Sequence, residues 1–545
     1  MSRFLLVSMN IDAILQETTI HRRRQKLNAM THSLGLGDVY GETLDRIKGQ
    51  GGEKARLGVA TLMWISHAER PLRLDELSHA LAIEIGSPNL SSDNIPSIGT
   101  LLACCQGLVV IDKEVSTVRL IHFTLHEYLR AHPELFGTAH STMAETCLSY
   151  LNSHQAKAFS TTPSPDLQSV PFLEYSSLYW GTHAKRDLSG CAKMLALKLF
   201  NDYNNHISAK ILLNYAQGRH LYFIDFDKAS LFSGLHCASM FGIDEIVAGL
   251  VEAEGCDINQ KDSAGNTPLV WAARNGHEGV AKVLLGRGGV NPEELDNFGQ
   301  TPLCYAAKRG DEGVVKMLLE QDDVNPEKPG KVGQTPLCCA AKCGHEEVVK
   351  ILLERGDVNP EKPGKFGQTP LCCAAEYGQE GVVKILLGRD DVDPEKPGEF
   401  GQTPLCWAAQ NGHEGVVKIL LKRDDVSPER PGKFGQTPLC CAAEYGQEGV
   451  VKILLERDDV SPEKLGKFGL TPLFWAAQNE RGEVVKILLG RDDVNPNKPN
   501  EDGHTPPSGA FSRGRAGAAA LLPPPARLLL AQPPKYKGLS PAIPP

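Results

Sequence analysis

The chain has 545 residues, a length that allows several domains. Its net charge of −9 and its pI near 6.0 give no general attraction to nucleic acid or to anionic membrane surfaces. No apolar run approaches the roughly 18 to 20 residues that a membrane-spanning helix needs, and the N-terminal stretch has no cleavage site of the secretory type, so the sequence predicts no membrane domain and no export.

Residues 1–52 are predicted to be a helical segment. The run 4–15 is apolar at helical spacing and predicts a core-type helix almost at the first residue, which suggests that further structure lies upstream. The cluster 21–26, His-Arg-Arg-Arg-Gln-Lys, is typical of a nuclear localisation signal, of a phosphate-binding patch or of a solvated helix face. We favour the solvated face.

Residues 53–135 predict three helices followed by a hairpin. The helices are expected at 54–66, from residue 70 onward, and at 95–106, and strand-like runs follow at 108–111 and 117–123. Thr124 and Glu127 have the spacing of a capping box that opens a last helix. This order of elements predicts a winged-helix domain.

Many winged helices bind DNA, and such proteins place basic and amide side chains on the helix that enters the groove. The third predicted helix, 95–106, contains no lysine and no arginine. A nuclear, DNA-associated regulator therefore remains only an alternative, and no nucleic-acid partner is expected.

Residues 136–232 are predicted to form a helical bridge and a cap for the segment that follows. Helices are expected at 172–183, 191–203 and 207–215, with an exposed loop at 161–165. The aromatic residues of the first of these helices fit a packed core better than a cofactor site.

One phrase, Gly-x-Thr-Pro-Leu-x-x-Ala-Ala, recurs every 34 residues in the second half of the chain. The copy that begins at Thr369 matches the copy at Thr437 at 29 of 34 positions. A fixed period of this length is the mark of stacked repeats. The threonines of the phrase are Thr267, Thr301, Thr335, Thr369, Thr403, Thr437, Thr471 and Thr505.

Each repeat predicts two short helices and a finger. Thr369 is a suitable N-cap, and Pro370 suits the first helical position because it needs no N–H donor there. Gly378 ends the first helix, residues 380–387 form the second, and the turn-forming residues 394–398 lead to the next repeat.

This pattern resembles that of ankyrin repeats, which implies a mainly α-helical solenoid of helix-turn-helix units with fingers. Eight units are expected within residues 233–504, the first of them degenerate. Two features depart from the family: the fingers are longer by two residues, and cysteine often replaces the histidine after Thr-Pro-Leu. The second change puts in doubt the hydrogen-bond ladder that this histidine forms in the family. The cysteines concerned are Cys304, Cys338, Cys372, Cys406 and Cys440.

The fifteen cysteines, eleven of them in the repeats, are predicted to be small apolar core residues. An odd number of cysteines without a secretory signal does not indicate a disulfide framework. Equivalent positions of neighbouring repeats should lie about 10 Å apart, which is too far for disulfides or for convergent zinc ligands.

Three phrases of the N-terminal part, residues 70–72, 80–84 and 122–129, resemble the region after the nucleotide-binding domain in fungal NACHT–ankyrin proteins of the NOD-like-receptor type. The resemblance covers about residues 1–150, and residues 1–52 resemble the end of a NACHT module. It implies a winged helix that relays between an NTPase and a sensor array. The chain contains no G-x-x-x-x-G-K-[ST] motif, so no nucleotide-binding residue is assigned.

Residues 505–545 break the pattern. Pro507 replaces the leucine of the phrase, and the residues that follow are rich in proline, alanine, glycine and leucine. We expect a disordered tail, or an error of reading frame or splicing, rather than a ninth unit.

The candidate partner-binding residues lie on the expected concave face and occupy positions that vary between otherwise constant repeats. Aromatic and arginine side chains beside adaptable polar groups are favoured in protein interfaces. The candidates are Trp271, Arg274, Asn275, Tyr305, Lys308, Arg309, Tyr377, Trp407, Asn411, Tyr445, Trp475 and Asn479.

The sequence therefore predicts a non-enzymatic module or scaffold that binds a protein partner through the concave face. No constellation indicates catalysis, and no cofactor or metal is predicted. The alternative is a truncated part of a NACHT NTPase switch whose nucleotide-binding half lies upstream. A cytoplasmic location is expected, with the nucleus also open, and the oligomeric state is not assigned.

Overall fold

The computed structural model describes residues 18–25, 36–161, 169–218, 231–330, 333–364, 367–398, 401–432, 435–512 and 514–522. The predicted helix at 4–15 and most of the predicted loop at 161–165 lie outside these residues. The chain divides into two compact units, Met1–Asn297 and Phe298–Pro545, and each is described by itself.

The first unit begins with a winged-helix domain. After a helix at Leu36–Gly49, the three helices Gly52–His67, Leu74–Ala82 and Ile98–Cys104 precede a two-stranded antiparallel hairpin, and another helix follows, which confirms the predicted order. The hairpin pairs Val109 with Leu120 and Asp112 with Thr117. The helices Gly52–His67 and Ile98–Cys104 approach closely at Gly58, where a Cβ atom would lie 2.7 Å from the carbonyl oxygen of Cys104. The elements are α1 (Leu36–Gly49), α2 (Gly52–His67), α3 (Leu74–Ala82), α4 (Ile98–Cys104), β1 (Val109–Asp112), β2 (Thr117–Leu120) and α5 (Phe123–Ala131).

The predicted capping box at Thr124 and Glu127 is wrong. Helix α5 begins at Phe123, and its N-cap is His122, whose side chain accepts a hydrogen bond from the Thr124 amide. The hydroxyl of Thr124 instead lies 2.8 Å from the Tyr40 hydroxyl of α1. The residue that leaves the hairpin in an extended conformation therefore takes over the capping.

The bridge is helical, as predicted. It consists of α6 (Ala139–Leu151), α7 (His154–Ala158), α8 (Leu173–Arg186), α9 (Gly190–Phe200) and α10 (Ile207–Ala216). The aromatic side of α8 is core, since Tyr175 and Trp180 are fully buried. The Trp180 ring packs edge-on against Phe200 and against Phe241 of the first repeat, with centroid distances of 5.8 and 5.3 Å.

The repeats are helix pairs at the predicted positions. Two pairs lie in the first unit: α11 (Gly234–Phe241) with α12 (Asp244–Val251), and α13 (Pro268–Asn275) with α14 (Glu278–Leu285). Six lie in the second unit: α15 (Pro302–Arg309) with α16 (Glu312–Leu319), α17 (Pro336–Cys343) with α18 (Glu346–Leu353), α19 (Pro370–Glu376) with α20 (Glu380–Leu387), α21 (Pro404–Asn411) with α22 (Glu414–Leu420), α23 (Pro438–Tyr445) with α24 (Glu448–Leu455), and α25 (Pro472–Gln478) with α26 (Gly482–Leu489).

The recurring phrase forms the helix ends as its chemistry predicts. The Thr369 hydroxyl accepts a hydrogen bond from the Cys372 amide, and Pro370 occupies the first turn. Gly378 adopts a φ of +74°, a conformation that favours glycine at the end of a helix. Ala374 and Ala375 are fully buried, so neighbouring first helices can pack closely.

The prediction that no ninth helix pair follows Thr505 is corrected for residues 505–522. Helices α27 (Pro506–Ser512) and α28 (Ala516–Leu521) pack on α25 and α26. Ala510 and Ala518 are buried, and Gly509 lies where a Cβ atom would be 2.6 Å from the Phe474 ring. Small residues thus preserve the packing although the leucine of the phrase is lost. Residues 523–545 are outside the described part of the chain.

Candidate partner-binding face

The first helices of the second unit carry most of the candidate residues. We call the solvent-accessible sides of α15, α17, α19, α21, α23 and α25 the inner-helix face. Tyr377 and Tyr445 are its most exposed aromatic residues, at 45% and 46%. Lys308, Arg309 and Asn411 are also exposed, whereas Tyr305, Trp407, Trp475 and Asn479 are half-buried.

In the first unit, Trp271 is not available to a partner. It is only 2% exposed, its indole nitrogen donates to a carboxylate oxygen of Asp262 at 2.9 Å, and its ring packs edge-on against Phe232. Arg274 and Asn275 are half-buried, and the Arg274 guanidinium lies 5.4 Å from the centroid of the Trp271 ring. The expectation that Trp271 belongs to a binding surface is therefore wrong.

The corresponding tryptophans of the second unit lack this acceptor. The residue five positions before the threonine is Asp262 in the repeat of Trp271, but it is glycine in the repeats of Trp407 and Trp475. The indole nitrogens of both residues are buried and have no hydrogen-bond partner among the described residues. A buried donor left without an acceptor costs about 1–3 kcal/mol, so these two donors lower the stability of their repeats.

The asparagines on this face have a local role that sequence reasoning missed. In each repeat that contains the tryptophan, the asparagine amide donates to the tryptophan carbonyl one turn earlier. The distances are 2.9 Å for Asn275 and 3.0 Å for Asn411 and Asn479. The spacing Trp-x-x-x-Asn, present in all three repeats, was the signal that could have revealed it.

Charge is unevenly distributed over the inner-helix face. Lys308 and Arg309 are exposed on α15, and the Lys342 ammonium on α17 lies 4.5 Å from the centroid of the Tyr377 ring. Glu376 and Glu444, on later repeats, accept hydrogen bonds from Gln368 and Gln436 at 2.7 and 2.6 Å. The early repeats therefore present net positive charge, whereas the later ones present aromatic, amide and carboxylate groups.

The cysteines after Thr-Pro-Leu occupy the place of a histidine ladder. In the first repeat, the Nε2 atom of His236 lies 2.9 and 3.1 Å from the carbonyl oxygens of Gln260 and Asn266. In the second unit, the thiols of Cys304, Cys338, Cys372, Cys406 and Cys440 lie 3.6 to 3.9 Å from the carbonyls of the next finger. A thiol is a weak donor, so the ladder persists in a weaker form.

Charged residues of the fingers pair with one another. A glutamate of one finger accepts from a basic side chain of the next in five successive steps. These pairs are Glu327–Lys362, Glu361–Lys396, Glu395–Arg430, Glu429–Lys464 and Glu463–Lys498, at 2.5 to 3.5 Å. The finger charges therefore contribute to contacts within the second unit.

Comparison with known families agrees with this geometry. A family profile described as ankyrin repeats (three copies) matches the chain in four overlapping ranges, residues 235–329, 324–398, 389–464 and 425–502. This part of the chain consists of ankyrin repeats. The profile of the winged-helix domain of GPI inositol-deacylase matches residues 45–139. No curated protein matches the chain.

The ankyrin repeats identify the second half of the chain as a protein–protein interaction module. All fifteen cysteines are free thiols. Among the described residues, no three histidine, cysteine or acidic side chains converge in a way that could hold a metal ion. Within the same residues, no helix has the length and apolar character needed to cross a membrane.

Proposed function

We propose that the protein is a non-enzymatic scaffold or sensor of the NOD-like-receptor type, which recruits a protein partner through the inner-helix face of its ankyrin repeats. The observation that supports this most is the exposure of Tyr377 and Tyr445. Both tyrosines are nearly half exposed, on helices that neighbour those of the half-buried Trp407 and Trp475. Amphipathic aromatic groups of this kind anchor protein interfaces.

The partner segment should carry complementary groups. Apolar groups would pack on the rings of Tyr377 and Tyr445, and carboxylates would suit the basic side chains of Lys308 and Arg309. The tyrosine rings have few rotatable bonds, so little ordering free energy is required of them on binding. The face can therefore select a segment whose acidic and apolar parts follow one another.

The receptor type rests on the order of domains. A winged helix at residues 45–139 precedes ankyrin repeats at 235–502, the order that the resemblance to NACHT–ankyrin proteins implies. The matched profile from GPI inositol-deacylase is a winged-helix domain, so the name of that enzyme does not transfer to this chain. An in-frame Walker motif upstream in the transcript would favour the alternative of an NTPase switch, and its absence would count against it.

Affinity capture with matched variants tests the binding proposal. The full chain is compared with Tyr377→Ala/Tyr445→Ala and with the control Lys384→Ala/Lys452→Ala, which changes exposed residues on the second helices of the same repeats. A true partner should be recovered at least about tenfold less with the tyrosine variant, because each lost anchor weakens binding by about 1 kcal/mol or more. Recovery that is equal for both variants would contradict the proposal.

A further inference from the structure

Three histidines meet where the C-terminal end of helix α2, in the winged-helix domain, contacts the bridge. His67 ends α2, His140 lies in the first turn of α6, and His183 lies near the end of α8. The Nδ1 atoms of His140 and His183 are 3.0 Å apart, and their rings stack with centroids at 5.2 Å. The His67 ring packs edge-on against His140 at 5.5 Å. His183 is fully buried, while the other two are half-buried.

A chain of hydrogen bonds fixes the protons in this cluster. The Tyr175 hydroxyl oxygen accepts from the Glu69 amide at 3.1 Å and lies 2.9 Å from Nε2 of His183. The described residues offer the hydroxyl hydrogen of Tyr175 no acceptor other than Nε2 of His183, so the hydroxyl donates to that atom. The Nδ1–H group of His183 must in turn donate to Nδ1 of His140, because one proton occupies a contact of this length. Each group in this series of hydrogen bonds has its partner only if the imidazoles of His140 and His183 are both neutral.

Protonation of either ring breaks this chain. If His183 gains a proton at Nε2, its N–H faces the Tyr175 hydroxyl hydrogen, which must then turn away. If His140 gains a proton at Nδ1, two N–H groups face each other across 3.0 Å. A tautomer shift of His183 relieves that conflict but leaves the buried Tyr175 hydroxyl hydrogen without an acceptor, at a cost typical of an unmade buried hydrogen bond.

The charged groups around the cluster do not favour an imidazolium ion. Burial, followed by the neighbouring His140, lowers the pKa of His183 to about 3, and burial is also the main cause that lowers the pKa of His67 and His140. Glu69 is paired with Arg186, and Asp187 accepts from the Ser141 hydroxyl. The groups that face the cluster are Arg70, which lies over the Tyr175 ring, His126 and Arg130 of α5, Arg186 of α8, Glu69 and Asp187.

We propose that His67, His140 and His183 form an acid-labile clasp, which holds the end of α2 against α6 and α8 at neutral pH and opens on mild acidification. Once the three helices separate, the exposed histidines bind protons that the packed cluster excludes. Ordinary histidine side chains bind a proton near pH 6.5, so the stabilisation is complete above that pH and is lost as the pH falls below it. The winged-helix domain and the bridge would then separate in response to acid.

Hydrogen exchange of the full chain between pH 7.5 and 5.0, corrected for the intrinsic rate at each pH, tests the clasp. One excluded proton predicts that protection in α2, α6 and α8 falls by about 30-fold over this range. Helices α20 and α24, which contain no histidine, serve as the reference and should change little. A fall of less than about threefold in the clasp helices of the wild type would overturn the proposal.

Substitutions that keep the hydrogen bonds but cannot be protonated sharpen the test. In His183→Gln, the new amide oxygen can still accept from the Tyr175 hydroxyl. In His140→Asn, the new amide oxygen can still accept from the Nδ1–H group of His183. We expect that in His183→Gln the roughly 30-fold loss of protection, which corresponds to one excluded proton, largely disappears. His140→Asn provides the same test if the first variant does not fold. His154→Asn, at an exposed position on α7, is the control and should behave as the wild type. Full acid sensitivity in both clasp variants would also overturn the proposal.

Discussion

At the scale of single residues, the environment of a side chain decides its role more than its place in the repeat. Trp271 and Trp407 occupy the same position of the 34-residue phrase. The first is buried and donates to Asp262, while the indole nitrogen of the second has no partner among the described residues. The repeated sequence phrase predicts the same role for both tryptophans, whereas the structure shows that only Trp271 has a hydrogen-bond acceptor among the described residues.

This difference predicts losses of different size for the same substitution at the two positions. Trp271→Phe should destabilise the chain by about 1–3 kcal/mol beyond its loss of packing, since the buried Asp262 carboxylate loses a donor. Trp407→Phe removes a donor that has no acceptor, so it should cost clearly less. Urea unfolding of each variant against the wild type measures both values. Equal losses in the two variants would contradict the assigned roles.

The threonine caps should contribute about equally in the repeats from Thr267 to Thr471, where each hydroxyl accepts from the amide three residues later. Thr369→Ala removes the acceptor for the Cys372 amide and should cost about 1 kcal/mol of unfolding free energy. Thr369→Ser keeps a hydroxyl at the same place and should cost much less. Local hydrogen exchange in α19 is the suitable measurement, and a similar loss in both variants would show that the cap is not the cause.

At the scale of elements, most helices could be predicted because their signals are local. Thr-Pro starts, glycine stops and apolar spacing fix the helix pairs within a few residues each. The errors arose where distant residues decide the outcome. The Thr124 hydroxyl contacts the distant Tyr40, and His122 caps α5 instead. Helices α27 and α28 form because Gly509 and Ala510 still fit against the preceding repeat.

The last helix pair gives a prediction at this scale. Deletion of residues 505–545 should uncover Phe474 and lower protection in α25 and α26, because the packing of Gly509 and Ala510 is lost. Deletion of residues 523–545 alone should leave that protection unchanged. Hydrogen exchange of the two truncated chains distinguishes them. Equal protection in both would mean that α27 and α28 do not act as a cap.

At the scale of the whole molecule, repeats and the winged helix were predictable because their periods and element orders are written in the sequence. The candidate face was predictable only in part. Its positions follow from variation between repeats, but Trp271 is buried and therefore not part of the accessible face. The asparagine amides, such as that of Asn275, donate to a carbonyl of their own helix. The histidine clasp was not predictable, since residues 67, 140 and 183 come together only through the packing of three helices.

The central claim is that the inner-helix face binds a protein, and site-specific photo-cross-linking in native cells tests it most directly. A benzophenone amino acid replaces Tyr445 on α23 or, as the control, Lys452 on α24 of the same repeat; both side chains are exposed. We predict a specific protein adduct from position 445 that is absent or at least about tenfold weaker from position 452. Adducts of equal yield at both positions, or an adduct from position 452 alone, would contradict the account.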